Sequence, residues 1–440
     1  MPDDKRSANV VRNSFISGIL KISILACSLL MVPITIDYLN QENYGIWMAM
    51  TSILYWFVFL DVGLGNGLRN YLAEALSRND LVSARSYIST AFVMLSTIAI
   101  VLAFVFIPLI YVFDLNELFH TISIENSVLA EVLVIAVAFS LMQFVAKNVG
   151  MIYIAMQKYA VSDFITFLGT VSSLGVVYVM TKTMEPNLAY VVAAFSGMPV
   201  LMFILASIHL VVKYPELRPS MKCINSPVAK QIVGKGLGFF LIQITSCLVI
   251  FGSANIFISH YCGPENVTIY NVSFKLFNVL IIVYTILISP LWNAYTDAAV
   301  KKDYSWIGRS FKKSLSLWAL SVLGGMVMLA LSGFFFKVWL GNSVEIPFVV
   351  SACVCAYVCM FNFNNCVTYL LNGLNKIRVQ IITSLIATAL YVVCVYIIKG
   401  SYGIIGISIS MIIAYFLMAV VHLYQCYMLI NQKAKGVWNK

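Results

Sequence analysis

Apolar runs of close to twenty residues, separated by short polar connections, make up most of the chain. About twenty apolar residues in a helix are needed to cross roughly 30 Å of hydrocarbon. Twelve such windows can be read, near 15–36, 43–60, 86–113, 128–146, 160–181, 188–211, 237–258, 267–291, 314–336, 346–370, 379–398 and 402–430. They lack the alternation of short β-barrel strands, so the pattern predicts helices. The third and last are long enough to tilt or to include an interfacial turn. Composition agrees: the 440 residues are 61% hydrophobic and only 10% charged, with a mean hydropathy of +0.91. A soluble domain carries about 25% charged residues. The opening segment, MPDDKRSANVVRNS, is polar, and no small-residue cleavage site follows the first apolar run, which is therefore expected to stay as a helix. The fold expected is all-α and membrane-integral, with 12 transmembrane helices.

Charge supplies the orientation. With the N-terminus cytoplasmic, 23 of the 28 Lys and Arg residues fall on inner segments and three, Lys182, Lys337 and Lys399, on outer ones. That bias predicts both termini in the cytoplasm. It accounts for most of the net charge of +10, so no nucleic acid is needed as a partner; anionic membrane lipid is one.

Sequence features recur in order. YLNQENYGIW, from Tyr38, matches YCGPENVTIY, from Tyr261, at an offset of 223. SRNDLVSARSY pairs with KKDYSWIGRSF through Arg-Ser-aromatic at an offset of 224, and IYIAMQKYAV pairs with TYLLNGLNKIRV. Six spans separate the copies, so both enter the membrane in the same sense. Two six-helix lobes are expected, 1–213 and 237–440, joined by a cytoplasmic linker at 214–236 with three prolines.

Little in the chain can do covalent chemistry. No Gly-rich nucleotide loop, metal-ligand cluster or catalytic set is visible, the loops are short, and the ten cysteines and four histidines read as packing residues. Ionisable groups inside spans are the informative ones, because each is costly in lipid. Lys275 lies ten residues past Glu265, about 15 Å into the eighth span, and reads either as a cavity cation or as a paired core residue. Lys21, nine residues past Arg12, reads as a headgroup anchor or a second cavity cation. Asp163 reads as paired or edge-exposed, Asp37, Glu42 and Glu265 as solvated. Pro33, in the first span, is a candidate hinge. Trp47, Trp292 and Trp339 read as interface aromatics.

The segment DVGLGNGLRNYLAEALSRND follows an apolar run directly. Gly63, Gly65 and Gly67 permit a tight turn and close packing. Leu68, Leu72, Ala75 and Leu76 then fall at helical spacing, which predicts a short amphipathic helix along the inner membrane surface. Asp61 is placed to cap a turn or to pair with Arg69.

DVGLGNGLRNYLAEALSRNDLVSAR closely resembles the inner-loop signature of the bacterial O-antigen and capsule repeat-unit flippases of the multidrug/oligosaccharidyl-lipid/polysaccharide exporter superfamily. The resemblance implies a V-shaped, MATE-like arrangement of the lobes in the bacterial inner membrane. It implies transport of an undecaprenyl-pyrophosphate-linked oligosaccharide to the outer leaflet by alternating access, coupled to H+ or Na+ entry or to membrane potential, with no other cofactor and no enzymatic step. Lys21 and Lys275 would hold the pyrophosphate; Asp61, Gly63, Gly65, Gly67, Arg69 and Pro33 would form gating or structural elements. A polysaccharide polymerase and a chain-length regulator are the implied protein partners. Two alternatives stay open: a cation-coupled multidrug exporter of the same fold, which would favour acids in its cavity, and a membrane polysaccharide polymerase, which would show a large outer loop.

Overall fold

The computed structural model describes residues 2–230, 252–341, 343–398 and 402–439. Every long element among them is helical. In hydrocarbon no water is available to unpaired backbone groups, so a spanning segment must satisfy its own. The first unit contains α1 (Pro2–Leu39), α2 (Gln41–Ser77), α3 (Leu81–Ile110), α4 (Leu115–Phe119), α5 (Asn126–Ala146), α6 (Asn148–Ala155), α7 (Tyr159–Thr183) and α8 (Leu188–Lys213). The second contains α9 (Ala254–Cys262), α10 (Pro264–Val300), α11 (Tyr304–Ala330), α12 (Ser332–Leu340), α13 (Phe348–Gly373), α14 (Arg378–Ile398) and α15 (Gly403–Ile430). The chain divides into two compact units, Met1–Gln243 and Ile244–Lys440.

Ten stretches among the described residues are long and apolar enough to cross a bilayer. The other two expected spans are 43–60, part of α2, where the side chains of residues 55–64 lie outside the described set, and 237–258, of which 237–251 lies outside it. The protein is a multi-pass membrane protein.

The doubling read from sequence is written into the turns. Asn40 (φ 78°, ψ 171°) and Gly263 (φ 90°, ψ 159°), 223 residues apart, each open a long helix. Beside them Asn43 Nδ2 donates to the Leu39 carbonyl (3.1 Å) and Asn266 Nδ2 to the Cys262 carbonyl (2.5 Å). At the far ends of these two helices, Asn79 (φ 57°) and Lys302 (φ 56°) take the left-handed conformation that terminates a helix. The next N–H in each case reaches back five residues, Asp80 to Ala75 O and Asp303 to Ala298 O, both at 2.9 Å. Salt bridges Glu74–Arg78 (2.7 Å) and Asp297–Lys301 (2.6 Å) repeat at the same spacing. The third pairing also holds: Gln157 (φ 61°) and Asn375 (φ 56°) stand before Lys158 and Lys376 in the same kind of turn.

The buried cores repeat too. In the first unit Leu72, Ala84, Ile88, Ile152 and Tyr153 pack together; in the second Tyr295, Ile307, Phe311, Leu370 and Leu371 do. These positions set the register of the second pairing at 223, not the 224 suggested by Arg85 and Arg309. Arg85 lies five residues past its capping aspartate and Arg309 six, so they occupy different faces of their helices. Gly373 sits where α13 meets α10, and a Cβ there would lie 2.9 Å from the Trp292 carbonyl oxygen.

The interface reading of Trp47 is corrected. It is 1% exposed and meets Phe195 of α8 edge-on at 5.6 Å, because the first turns of α2 are buried against their own unit.

Residues 214–225, in the segment expected to link the lobes, carry two short 3-10 turns, Pro215–Leu217 and Met221–Cys223. They are strapped along α3. Arg85 Nε donates to the Arg218 carbonyl (2.8 Å), Ser86 Oγ to that of Cys223 (2.9 Å), and the N–H groups of Ser220 and Asn225 donate to Ser89 Oγ (3.0 Å) and Thr90 Oγ1 (3.1 Å).

The capping aspartates give a pH dependence. The Ser83 hydroxyl and N–H hold the Asp80 carboxyl below its usual range, and the Trp306 N–H with the Ser305 hydroxyl does the same for Asp303. A depressed folded pKa stabilises above the ordinary carboxylate value of about 3.9 and is lost as pH falls through the folded value. Thermal unfolding in detergent should show Asp80→Ala melting below wild type at pH 7, with Asp80→Asn, which can still cap, close to it. On going from pH 7 to pH 3 the Asp80→Asn/Asp303→Asn protein should lose less of its melting temperature than wild type.

Candidate functional site

The Asp61 segment is not a turn followed by a surface helix. Residues 61–77 continue α2 without a break. Glycine costs a helix about 1 kcal/mol relative to alanine, too little to stop one that packs along its length. The predicted apolar spacing is correct, but it faces protein rather than lipid: Leu68 and Leu72 are fully buried against α3, α6 and α8 residues including Ile88, Val149, Ile152 and Phe203. Gly65 is buried; the side-chain positions of Asp61, Gly63 and Gly67 lie outside the described residues, and with them the expected Asp61 contacts. Arg69 is half-buried, with its guanidinium 5.9 Å from the centre of the Tyr159 ring at the start of α7. Tyr71 stacks on Tyr87 of α3 at 5.5 Å.

This basic end of the first unit is tied together by cations on tyrosines. Lys158 Nζ lies 4.6 Å from the centre of the Tyr214 ring and donates to its hydroxyl. Tyr153 OH bonds His209 Nδ1 at 2.8 Å. The motif thus joins α2, α3 and α7.

Lys21 is exposed on α1, beside Ile22 at 61% exposure. Pro33 is half-buried inside α1, which runs through it unbroken. Lys275 is half-buried on α10, between the fully buried Ser273 and Phe277 and about 16 Å along the helix from Pro264 at 1.5 Å per residue. Lys21 and Lys275 are not repeat partners: at the 223 offset, the counterpart of Lys275 is Ser52.

Two polar features escaped the sequence reading. Glu42 is not merely solvated: its Oε1 accepts from Thr121 Oγ1 (2.5 Å) and Ser123 Oγ (2.7 Å), pinning the α4–α5 connection to the start of α2. His422, buried on α15, bonds Thr383 Oγ1 (2.7 Å) and Asn364 Oδ1 (3.3 Å), linking three helices of the second unit. Spacing along one helix cannot announce partners that lie 79 and 39 residues away. No group of three or more His, Cys, Asp or Glu placed to hold a metal ion occurs among the described residues.

No family model matches the chain. A curated protein of Salmonella typhimurium named "Putative O-antigen transporter" is 23% identical over 428 residues, covering 91% of this chain and 92% of the relative. A "Putative O-antigen export protein" of Yersinia pseudotuberculosis is 24% identical and covers 68% of each. Among solved structures, an inward-facing multidrug resistance MATE transporter of the MOP superfamily superposes with a TM-score of 0.75 over 94% of this chain and 98% of its own, at 14% identity. A MOP transporter from Pyrococcus furiosus, described as having reversed binding-pocket polarity, reaches 0.68 over 97% of this chain and 96% of its own, also at 14%. The chain is similar over most of its length to proteins named as putative O-antigen transporters, and it has the MATE fold. The resemblance carried by the Asp61 segment therefore extends along nearly the whole sequence.

If the buried α2 segment is a structural joint, core truncation should cost far more than loss of the ring contact. Leu72→Ala should lower unfolding free energy by about 2–5 kcal/mol. Arg69→Met should cost about 0.5–1 kcal/mol. Thermal or denaturant unfolding of the purified protein in one detergent compares the two.

Proposed function

We propose that the protein is a flippase. It moves an undecaprenyl-pyrophosphate-linked oligosaccharide from the cytoplasmic to the periplasmic leaflet of a bacterial inner membrane, without covalent chemistry. Similarity over 91% of the chain to a protein named as an O-antigen transporter carries this reading. The MATE fold supports alternating access, with the two units as moving parts. Lys275 supplies a cation deep in a span for the pyrophosphate, Lys21 a second one nearer the membrane edge, and the polyprenyl tail stays in lipid. Both termini lie in the cytoplasm, following the basic connections. Proton or sodium entry, or the membrane potential, drives the cycle, and a polymerase and chain-length regulator take the product.

Multidrug export is the second reading, favoured by the multidrug MATE structures that share the fold. The reactions differ in what accumulates when the gene is lost. In a deletion strain carrying wild type or Lys275→Ala at matched expression, a membrane-impermeant glycan label applied to spheroplasts reports outer-leaflet lipid-linked units. The deletion should abolish outer labelling while such units build up inside. Removing a partly desolvated cation from a diphosphate costs about 2–5 kcal/mol, so Lys275→Ala should reduce labelling about tenfold or more, with Lys275→Arg restoring most of it. Normal outer labelling in the deletion would reject the flippase.

A further inference from the structure

A groove of about 970 Å³ opens in the second unit between the first half of α11 and the last third of α15. Ser305, Arg309 and Gln432 line its outer part, and Leu315, Val420 and Leu423 its deeper part. The lining runs about 16 Å along α15 at 1.5 Å per residue, so one cleft grades from cationic at the membrane edge to apolar within. Tyr424 and Tyr427, half exposed, flank it. Among the described residues, the charged ones in the lining are Arg309 and Lys312. Neither forms a salt bridge within 4 Å among the described residues; Asp303, at the start of α11, accepts from the Trp306 N–H (2.9 Å) and the Ser305 hydroxyl (2.8 Å) and feels the Arg309 charge at longer range.

The internal repeat shows why this face is open. At the 223 offset, Arg309 and Lys312 correspond to Ser86 and Ser89 of α3. In the first unit those serines bind the 214–225 strap, which lays Leu217, 2% exposed, into the core beside α3 and α8. In the second unit the chain leaving α15 turns at Gln432 instead. Its residues 436–439 pack by the α13–α14 turn, where Lys376 Nζ donates to the Asn439 carbonyl (2.8 Å) and Gln425 Nε2 to that of Trp438 (3.1 Å). Among the described residues the groove is covered in one unit and left unfilled, with two cations in place of two serines, in the other.

We propose that the α11–α15 groove binds an anionic phospholipid of the surrounding bilayer. Its phosphodiester sits against Arg309 and Lys312, and an acyl chain lies along Leu315, Val420 and Leu423. Basic pockets between membrane helices recognise anionic headgroups in this way, and the apolar depth of the groove separates the site from a patch that merely attracts surface charge. The site is independent of which substrate the protein carries.

Native mass spectrometry of the full chain, released from micelles doped equally with dioleoylphosphatidylglycerol and dioleoylphosphatidylcholine, tests it. Wild type should retain the glycerol lipid preferentially. Arg309→Gln/Lys312→Gln should lose that preference about tenfold or more. Gly308→Phe should lose it without any change of charge: Gly308 lines the groove, and the nearest atom to a Cβ there is Ile430 Cγ2 at 3.3 Å. Lys313→Gln, an exposed neighbour outside the lining, should keep it, and melting temperatures near wild type would show that the variants fold. Equal retention of the two lipids by wild type would overturn the proposal. So would an equal loss in Lys313→Gln, an unchanged preference in Gly308→Phe, or displacement of the glycerol lipid by equimolar undecaprenyl phosphate.

Discussion

A backbone amide left unpaired in hydrocarbon costs several kcal/mol, and the architecture follows from that one demand. It makes each spanning segment a helix and forces the chain to reverse only where helix ends can be satisfied. At the basic edge the reversals use one device: a residue in the left-handed conformation, at 79, 157, 302, 375 and 432, with the following N–H returned five residues to the helix it has left. None of the five is a glycine, so each pays a small conformational cost. Such a Schellman turn closes a helix within two residues, and it recurs at His120 after α4, where the Thr121 N–H returns to Asn116 O.

Duplication then explains which parts of the molecule look alike. Cap geometry, salt-bridge spacing and core positions agree between the units at 223 residues, although their core residues differ: Leu72 stands where Tyr295 does, Ala84 where Ile307 does. A buried position fixes that something apolar must fill it; the identity drifts with the neighbours available to compensate. Exposed positions are freer, and there the units part company in charge.

Ten of the twelve expected spans, the helical class and the doubling were legible because all three are carried by hydropathy and by short local signals at turns. The Asp61 segment was read differently from its structure because glycine content is an ambiguous signal: in water it favours a turn, but beside α3 and α6 the packing of Leu68 and Leu72 outweighs the helix penalty. Trp47, Glu42 and the strap at 214–225 were hidden for another reason. Their partners, Phe195, Ser123 and Arg85, lie far away in sequence, and no periodicity encodes which distant element arrives. Lys275 is the opposite case. A charge in the middle of an apolar run is visible without any fold, and its depth along α10 follows from helical rise alone.

The two units differ most clearly at their basic edges. If both carried the strap, their basic edges would present the same polar surface; if neither did, the edge of α3 would expose the serines that now receive backbone bonds. Instead, one copy spends its edge on holding the chain that leads to the second copy, and the other is free of that duty. Ser86 and Ser89 make backbone bonds to the strap, whereas their counterparts Arg309 and Lys312 line a groove and carry charge there.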